Sequence, residues 1–302
     1  MPFYLEQALP TLELPSIPTL IDPWMSAGSV TLVFGPPSAG KTMWTTTVAR
    51  ALGSGGMLFG AYPCAKCRVL IVQADMPTVS VVERAQASQE GMNANVGVWL
   101  TDNVALDVLS IARTHRATLA EAQAFDPQVV FIDTLRKTHN LDENDSAAPD
   151  KVYAAWRALF PGASFVFNHH SRKMPTQGNT DALMREAFRG SIAWAASADS
   201  IIGIRRIRRK GKREWLVQQR FVRTRNCEEP SPLLLKRTES LMLEPVNPET
   251  LEAKLIDWLA LNPRATQNDA VTWLTSLRDE RGRELCAKRR AYRLWERMSH
   301  DG

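Results

Sequence analysis

The stretch Gly35-Pro36-Pro37-Ser38-Ala39-Gly40-Lys41-Thr42 fits the spacing G-x-x-x-x-G-K-[ST]. It follows an apolar run, Val30-Thr31-Leu32-Val33-Phe34, that is typical of a buried strand, and a helical pattern comes next. In this context backbone N–H groups of the loop and the helix N-terminus bind phosphate, Lys41 reaches the terminal phosphates, and the Thr42 hydroxyl is a ligand for Mg²⁺. The flanking strand and helix favour this interpretation over a glycine-rich turn without a ligand. The stretch therefore predicts a site for a nucleoside triphosphate, ATP, formed by residues 35–42.

The composition is that of an ordinary globular protein. The chain has 302 residues, of which 44% are hydrophobic and 23% charged, and this length suits one large domain or two. No apolar run reaches about 18 residues, which argues against a membrane span. The N-terminus lacks the pattern of a secretory signal, and four cysteines are too few for a disulfide scaffold in a chain this long. These features predict a cytoplasmic protein without a membrane partner.

Positive charge is concentrated in two places, although the net charge is only +5. Between Arg205 and Arg225 there are ten Lys or Arg residues and one acid, Glu214. A second cluster consists of Arg281, Arg283, Lys288, Arg289, Arg290, Arg293 and Arg297. Such clusters are typical of proteins that bind polyanions, but each is also compatible with a solvated surface.

Residues 1–29 contain five prolines, which predicts an extended arm lying on its own domain or on a neighbouring subunit. After the first strand and helix, apolar runs and helical patterns alternate as far as residue 170. The predicted strands are 68–74, 96–100, 129–133 and 164–168, and the predicted helices are 42–52, 78–90, 106–125 and 151–159. This alternation predicts an α/β fold with a mostly parallel central sheet covered on both faces.

The pattern changes after Ser171. Residues 172–187 are polar and basic, and Arg189-Gly190-Ser191 opens a helix of small residues. A hairpin of strands 200–209 and 214–223 follows, with its turn at Lys210-Gly211-Lys212, and residues 232–235 suit an edge strand.

Pro245, Asn247 and Pro248 mark a predicted boundary between a domain of residues 1–244 and one of residues 245–302. The second domain has three helical segments, 249–261, 266–274 and 283–298, of which the last is basic. It is compatible with a helix-turn-helix or winged-helix unit that binds duplex DNA. A packing bundle and an oligomerisation tail are equally compatible alternatives.

Two acids follow predicted strands. Asp133 ends the run 129–133. We expect this run to lie beside the strand 30–34 that precedes the phosphate-binding loop (the P-loop, residues 35–42), where a carboxylate supports Mg²⁺. Asp75 follows the second strand and could orient the attacking water; the alternative is that it caps the next helix.

His169 and His170 follow Asn168 at the next strand end, so that one would sense the γ-phosphate and the other would be structural. A zinc site with the pair Cys64 and Cys67 is the competing hypothesis, although a second pair at suitable spacing is missing.

The order of these elements resembles the RecA-like ATPase core, and within it the RepA-type family of plasmid hexameric replicative helicases. The likeness covers about residues 20–240 and is carried by the following segments: Leu20-Ile21-Asp22 before Gly28-Ser29-Val30, the P-loop, Ala74-Asp75-Met76-Pro77, Phe131-Ile132-Asp133-Thr134, Asp142-Glu143-Asn144-Asp145, His169-His170-Ser171-Arg172-Lys173 and Arg189-Gly190-Ser191. Asp75 stands where the family tends to have Glu, which is one methylene longer, so slower hydrolysis is expected.

The resemblance implies catalytic roles for Lys41, Asp75, Asp133, His169 and Arg225, with Mg²⁺ at Thr42 and Asp133. His169 would be the γ-phosphate sensor, and Arg225 would act on the nucleotide of a neighbouring subunit, with Arg223, Arg205 and Arg206 as alternatives. Arg172, Lys173 and Arg185 would contact nucleic acid from the loop after His170.

The function expected from this resemblance is an ATP-dependent motor on single-stranded DNA that assembles as a homo-oligomeric, hexameric ring and acts as a helicase. A filament-forming recombination or annealing ATPase and a nucleotide-switched DNA-binding regulator are the alternatives.

Overall fold

A computed structural model describes residues 6–11, 16–142, 145–170, 192–207, 215–247, 250–262, 265–278 and 282–299 of the chain. The strands in this part are β1 (Thr19–Ile21), β2 (Met25–Ser26), β3 (Val30–Gly35), β4 (Gly56–Leu58), β5 (Tyr62–Cys64), β6 (Val69–Gln73), β7 (Val96–Leu100), β8 (Val129–Asp133), β9 (Ser164–His170), β10 (Ser200–Ile207), β11 (Leu216–Thr224), β12 (Leu233–Arg237) and β13 (Leu243–Pro245). The α-helices are α1 (Lys41–Ser54), α2 (Thr78–Ala87), α3 (Ile111–Thr114), α4 (Arg116–Ala124), α5 (Ala148–Leu159), α6 (Ile192–Ala196), α7 (Leu251–Leu261), α8 (Gln267–Ser276) and α9 (Lys288–Ser299). Short 3₁₀ helices cover Glu6–Thr11 and Leu135–Thr138.

A nine-stranded sheet in the order β13-β12-β11-β10-β3-β9-β8-β6-β7 forms the centre of the protein. Strands β10, β3, β9, β8, β6 and β7 are parallel, while β11, β12 and β13 extend one side in antiparallel pairing. Strands β3, β6 and β8 are buried along their whole length, which explains why their sequences are continuous apolar runs. The predicted α/β fold with a mostly parallel sheet is confirmed.

The expected position of the Asp133 strand is wrong. Strand β9 lies between the P-loop strand β3 and strand β8, which ends at Asp133. Neighbouring order in a parallel sheet depends on the paths of the crossovers, and the strand sequences do not contain that information. Because β3, β9 and β8 run in the same direction, their carboxyl ends still meet at one edge.

Both faces of the sheet are covered, as predicted. Helix α1 lies on one face, where Trp44 and Val48 are fully buried. On the other face Trp156 of α5 and Trp194 of α6 are fully buried beside Phe167 of β9. This packing fixes α1, and with it the P-loop, against the carboxyl edge of the sheet.

The N-terminal segment is not the extended arm that was expected. Strands β1 and β2 join β5 and β4 in a second, four-stranded sheet. Trp24 anchors this sheet, since its ring centroid lies 5.5 Å from that of Phe221 and 6.4 Å from that of Tyr62. Burial of an aromatic side chain outweighs the local preference of prolines for an extended chain. Residues 1–5 and 12–15 of the predicted arm lie outside the described residues.

The helix predicted at 106–125 is also wrong in extent. Two shorter helices, α3 and α4, replace it, and they are separated at His115. The segment before Ile111 instead runs along the 3₁₀ helix after β8, where the N–H groups of Leu106 and Val108 donate to the carbonyls of Lys137 and Thr138. Tertiary hydrogen bonds thus outweigh the preference for a helix that the sequence pattern of this segment indicates.

The three predicted C-terminal helices are present as α7, α8 and α9. Their buried residues, such as Leu255, Leu274 and Leu294, form one cluster with Ile207, Leu216 and Leu234 of the large sheet. The guanidinium of Arg205 is buried and donates a 2.6 Å hydrogen bond to the carbonyl of Met298. The helices therefore pack on the antiparallel side of the sheet, and the boundary near residue 245 and a DNA-binding role remain predictions.

Among the helices of the described ranges, none has the length and hydrophobicity that crossing a bilayer requires.

Candidate active site

The P-loop, residues 35–42, connects the end of β3 to the start of α1. Gly35 is enclosed so tightly that a Cβ atom there would lie 2.2 Å from the carbonyl oxygen of Ile204. Gly40 has a φ of 105° and lies close to Val217, which would be 3.1 Å from an added Cβ. No side chain caps the N-terminus of α1, which leaves its first N–H groups available to an anion. The local geometry therefore requires both glycines and suits phosphate.

Thr42 and Asp133 meet at this edge although their strands are not neighbours. The Thr42 hydroxyl donates a 2.8 Å hydrogen bond to Oδ2 of Asp133, whose side chain is buried. A hydroxyl and a carboxylate at the phosphate end of the cavity are the oxygen donors that Mg²⁺ prefers. The residues present thus fit a magnesium ion held by Thr42 and supported by Asp133.

Gln73, the last residue of β6, is a member of the site that sequence reasoning missed. Its Nε2 donates a 3.2 Å hydrogen bond to Oδ2 of Asp133. Its Oε1 accepts a 3.0 Å hydrogen bond from the backbone N–H of Asp75. Gln73 therefore fixes both acids relative to each other. A signal was available, because a polar residue ends an otherwise apolar strand two residues before Asp75.

Lys41 is buried, and its ammonium group is engaged by the loop itself. Its Nζ donates to the carbonyls of Gly35 at 2.8 Å and Pro36 at 3.1 Å, and it lies 3.3 Å from Nδ1 of His170. Burial lowers the pKa of Lys41 to about 8, although the carboxylates of Asp133 and Asp75 oppose this change. The pKa of Lys41 is thus well below that of an exposed lysine.

His170, rather than His169, occupies the position expected for the phosphate sensor. His170 lines the cavity between Lys41 and Asp75. Its Nε2 lies 3.8 Å from Oδ2 of Asp75. His169 is buried in β9, and burial, together with the nearby charges of His170, Lys41 and His139, lowers its pKa to about 4. Adjacent residues of a strand point to opposite sides, so only one of the two reaches the cavity.

Asp75 does not cap a helix. Helix α2 starts at Thr78 without a side-chain cap, and the N–H of Thr78 donates a 2.9 Å hydrogen bond to Oδ1 of Asp102, not to Asp75. The Asp75 side chain is about two fifths exposed and lines the same cavity as Lys41. The structure thus contradicts the capping alternative and leaves this carboxylate facing the site.

A cavity of about 570 Å³ begins at the P-loop. It is lined by Lys41, Thr42, Asp75, Asp133 and His170 at one end and extends across α1 to α2 and to the start of β11. Its size lies within the range of pockets that bind cofactors and nucleotides, about 300–1,000 Å³.

Arg225 lies far from this cavity, at the opposite edge of the sheet. It follows β11 beside Ser200, the first residue of β10, whereas the P-loop follows the last residue of β3. Its guanidinium donates to the carbonyl of Ala196 and lies 3.8 Å from Oδ1 of Asp199. Arg225 is half-exposed and cannot reach the P-loop of its own subunit.

The alternatives to Arg225 are engaged elsewhere. Arg223 donates to the carbonyls of Ala195 and Ala198, Arg205 is buried under α9, and the guanidinium of Arg206 lies 3.5 Å from the centroid of the Trp215 ring. The predicted nucleic-acid contacts Arg172, Lys173 and Arg185, like the turn Lys210-Gly211-Lys212, lie outside the described residues.

The zinc hypothesis gains no support. In the part of the chain that the structure describes, no group of three or more His, Cys, Asp or Glu residues could hold a metal ion, and Cys64 and Cys67 are free thiols. Burial raises the pKa of both thiols to about 11, which disfavours the thiolate form that zinc needs.

Residues 4–175, more than half of the chain, match the family described as AAA domain. The chain belongs to this AAA domain family. Among solved structures, this AAA domain protein is similar to a KaiC-like protein from the hyperthermophilic archaeon Pyrococcus horikoshii OT3, with a TM-score of 0.51 and 9% sequence identity over 76% of this chain and 94% of that chain. The flagellar accessory protein FlaH from Methanocaldococcus jannaschii gives a TM-score of 0.47 and 11% identity over 73% of this chain and 90% of that one. Among curated proteins, none matches the sequence significantly.

At 9% identity the first likeness shows the fold alone, which is the RecA-like fold, and the second adds nothing to it. Together with the P-loop, the AAA domain match identifies the protein as a RecA-like P-loop ATPase of the AAA domain family.

Proposed function

We propose that this protein hydrolyses ATP with Mg²⁺ and uses the energy to move along single-stranded DNA as a homo-oligomeric, ring-forming helicase. The observation that carries the hydrolytic part is the convergence of Lys41, Thr42, Asp133, Asp75 and His170 on one cavity. The ends of four strands, β3, β6, β8 and β9, supply these groups, which is more than phosphate binding alone requires.

The residues have separate tasks in this proposal. Lys41 leaves the carbonyls of Gly35 and Pro36 and binds the terminal phosphates. Asp75 orients a water molecule for attack on the γ-phosphorus and accepts its proton, while the bond to the bridging oxygen breaks and ADP leaves. Thr42 and Asp133 would hold Mg²⁺, which would supply positive charge to stabilise the phosphate oxygens. His170, between Lys41 and Asp75, responds to the γ-phosphate.

The assembly into a ring is supported by the position of Arg225. Its half-exposed guanidinium lies at the sheet edge opposite its own P-loop, so it could stabilise charge only on the nucleotide of a neighbouring subunit. The resemblance to RepA-type helicases and the basic residues after His170 support a role on single-stranded DNA.

The experiment is phosphate release from ATP with and without single-stranded DNA, combined with unwinding of a forked duplex. Lys41→Ala should abolish both activities, whereas Lys66→Ala, which removes an exposed lysine, should retain them. Unchanged DNA-stimulated phosphate release in Lys41→Ala would overturn the hydrolytic proposal. Stimulation without unwinding would favour the recombination or annealing ATPase instead.

A regulator would behave differently. Sequence-specific duplex binding that persists in Lys41→Ala, and that is lost when the chain is truncated after Glu244, would favour the nucleotide-switched regulator. Mass measurement of the protein with an ATP analogue and single-stranded DNA tests the ring directly, and a monomer under those conditions would contradict it. In mixed assemblies, wild-type subunits should rescue Arg225→Ala only in part.

A further inference from the structure

Trp215 and Arg237 form a part of the cavity wall to which the proposed function assigns no role. Trp215 immediately precedes β11 and Arg237 ends β12, and the N–H of Arg237 donates a 2.9 Å hydrogen bond to the carbonyl of Trp215. Both residues line the cavity that begins at the P-loop. They are therefore cross-strand neighbours at the edge of the sheet where nucleotide would bind.

Strand alternation explains why both side chains reach this cavity. Val217 and Leu235, two residues further into their strands, pair with each other and are buried in the core on the α1 face. Val217 also touches the P-loop, since its Cγ2 would lie 3.1 Å from a Cβ at Gly40. The next pair on the same face is Trp215 and Arg237. This pair is thus the row next to the one that touches the last glycine of the P-loop.

The guanidinium of Arg237 contacts the aromatic ring of Trp215 and does not pair with a carboxylate of the described residues. Its guanidinium carbon lies 5.0 Å from the centroid of the Trp215 ring, within the range of a cation–π contact. Among the described residues, no carboxylate oxygen lies within 4.0 Å of its guanidinium nitrogens. The cation is exposed and oriented by an aromatic face at the wall of the cavity, which is a suitable arrangement for an anionic ligand.

The adjacent residue provides a contrast. Lys236 points to the other face of the sheet, where its Nζ lies 2.9 Å from Oε1 of Glu244. Lys236 and Arg237 are thus consecutive, exposed and cationic, but only Arg237 lines the cavity.

We infer that Arg237, oriented by Trp215, is a second phosphate-binding cation of the nucleotide site. Lys41 is assigned to the terminal phosphates, and we assign to Arg237 a phosphate that ATP and ADP have in common, because its row follows the one that touches Gly40. This inference rests on the proposed nucleotide binding at the P-loop and adds a specific residue to it. The guanidinium suits the task, because it donates two parallel hydrogen bonds to phosphate oxygens.

The test is calorimetric titration of Arg237→Gln with ADP and with a non-hydrolysable ATP analogue, with Lys236→Gln as the matched control. Arg237→Gln should weaken both ligands about tenfold or more, the effect of losing one charge-assisted hydrogen bond. Lys236→Gln should bind both within about twofold of wild type, as expected for an exposed ion pair. Arg237→Lys should fall between them, since it keeps the charge and loses the planar stack.

Three results would contradict the inference. Equal affinities of Arg237→Gln and Lys236→Gln, with binding by the wild type intact, would overturn it and leave the proposed function standing. A changed preference between ATP and GTP without an equal loss for both would assign Arg237 to the base and also overturn it. Absence of nucleotide binding by the wild type would overturn the proposed function together with the inference. Melting temperatures of the nucleotide-free variants should agree with each other, which separates loss of contact from loss of fold.

Discussion

The Nζ of Lys41 lies 3.3 Å from Nδ1 of His170, on the side of the imidazole opposite to the one that faces Asp75. The imidazole therefore connects the lysine that would bind phosphate to the acid that would activate water. When Lys41 is charged, Nδ1 is the acceptor of this contact, which requires a neutral His170. Burial, followed by the charge of Lys41, lowers the pKa of His170, in agreement with that state.

Affinity for ADP should fall as the pH rises above about 8. The pKa of Lys41 is about 8 without ligand, and bound phosphate favours the charged lysine, so binding raises this pKa and takes up a proton above pH 8. The dissociation constant should increase by up to about tenfold per pH unit until the pKa of the complex is reached. Titrations between pH 7 and 9.5 measure this slope. Lys41→Arg keeps its charge and should give a flat profile; an equally flat profile in the wild type would contradict the prediction.

Gln73→Leu should lower the rate of phosphate release about tenfold while sparing the fold, because Asp133 and Asp75 lose the side chain that fixes them. The measurement is steady-state turnover at saturating ATP and Mg²⁺, together with the melting temperature. The control is Gln128→Ala, since Gln128 is exposed and accepts a hydrogen bond from the N–H of Arg68 at the opposite edge of the sheet. Equal turnover of the two variants would return Gln73 to a purely structural role.

Asp75→Asn should abolish turnover and leave ADP affinity within about twofold of wild type, because an amide cannot accept the proton of the attacking water. Asp133→Asn should instead lose turnover together with the effect of Mg²⁺ on nucleotide affinity, since its carboxylate holds the Thr42 hydroxyl. Parallel titrations with and without Mg²⁺ separate the two acids. Normal turnover of Asp75→Asn would remove it from the catalytic residues.

The two adjacent histidines should respond differently to substitution. His170→Gln removes the contact between Lys41 and Asp75 and should lower turnover, whereas His169→Gln alters a buried side chain of β9 and should mainly lower the melting temperature. Both quantities are measured for each variant. The reverse outcome would restore His169 as the phosphate sensor that the family resemblance implies.

Gly35→Ala should prevent nucleotide binding and lower the melting temperature by several degrees, because its Cβ would lie 2.2 Å from the backbone oxygen of Ile204. Gly97→Ala is the matched control, as its Cβ would meet only the Phe125 ring at 3.3 Å, and a ring can shift slightly. Binding of ADP is measured by calorimetry. Wild-type affinity in Gly35→Ala would show that the loop differs from the arrangement described.

The sequence predicted most of the strands of the core, because central strands such as β3, β6 and β8 are buried along their whole length and form continuous apolar runs. The strands predicted at 96–100 and 129–133 agree in full with β7 and β8. Predictions were poorer where tertiary contacts outweigh local preference, as at Trp24, which packs the N-terminal segment into a second sheet, and at His115, where one predicted helix becomes two.

The sequence by itself predicted that residues 35–42 form a phosphate-binding loop and that acids stand at the ends of two further strands, because these properties depend on local spacing. The tertiary structure alone decided which of these groups meet. It placed β9 between Asp133 and the P-loop strand and still brought Asp133 to Thr42, it selected His170 over His169, and it added Gln73 to the site. Strand order and side-chain direction arise from crossovers and packing between distant segments, and no local pattern in the chain specifies them.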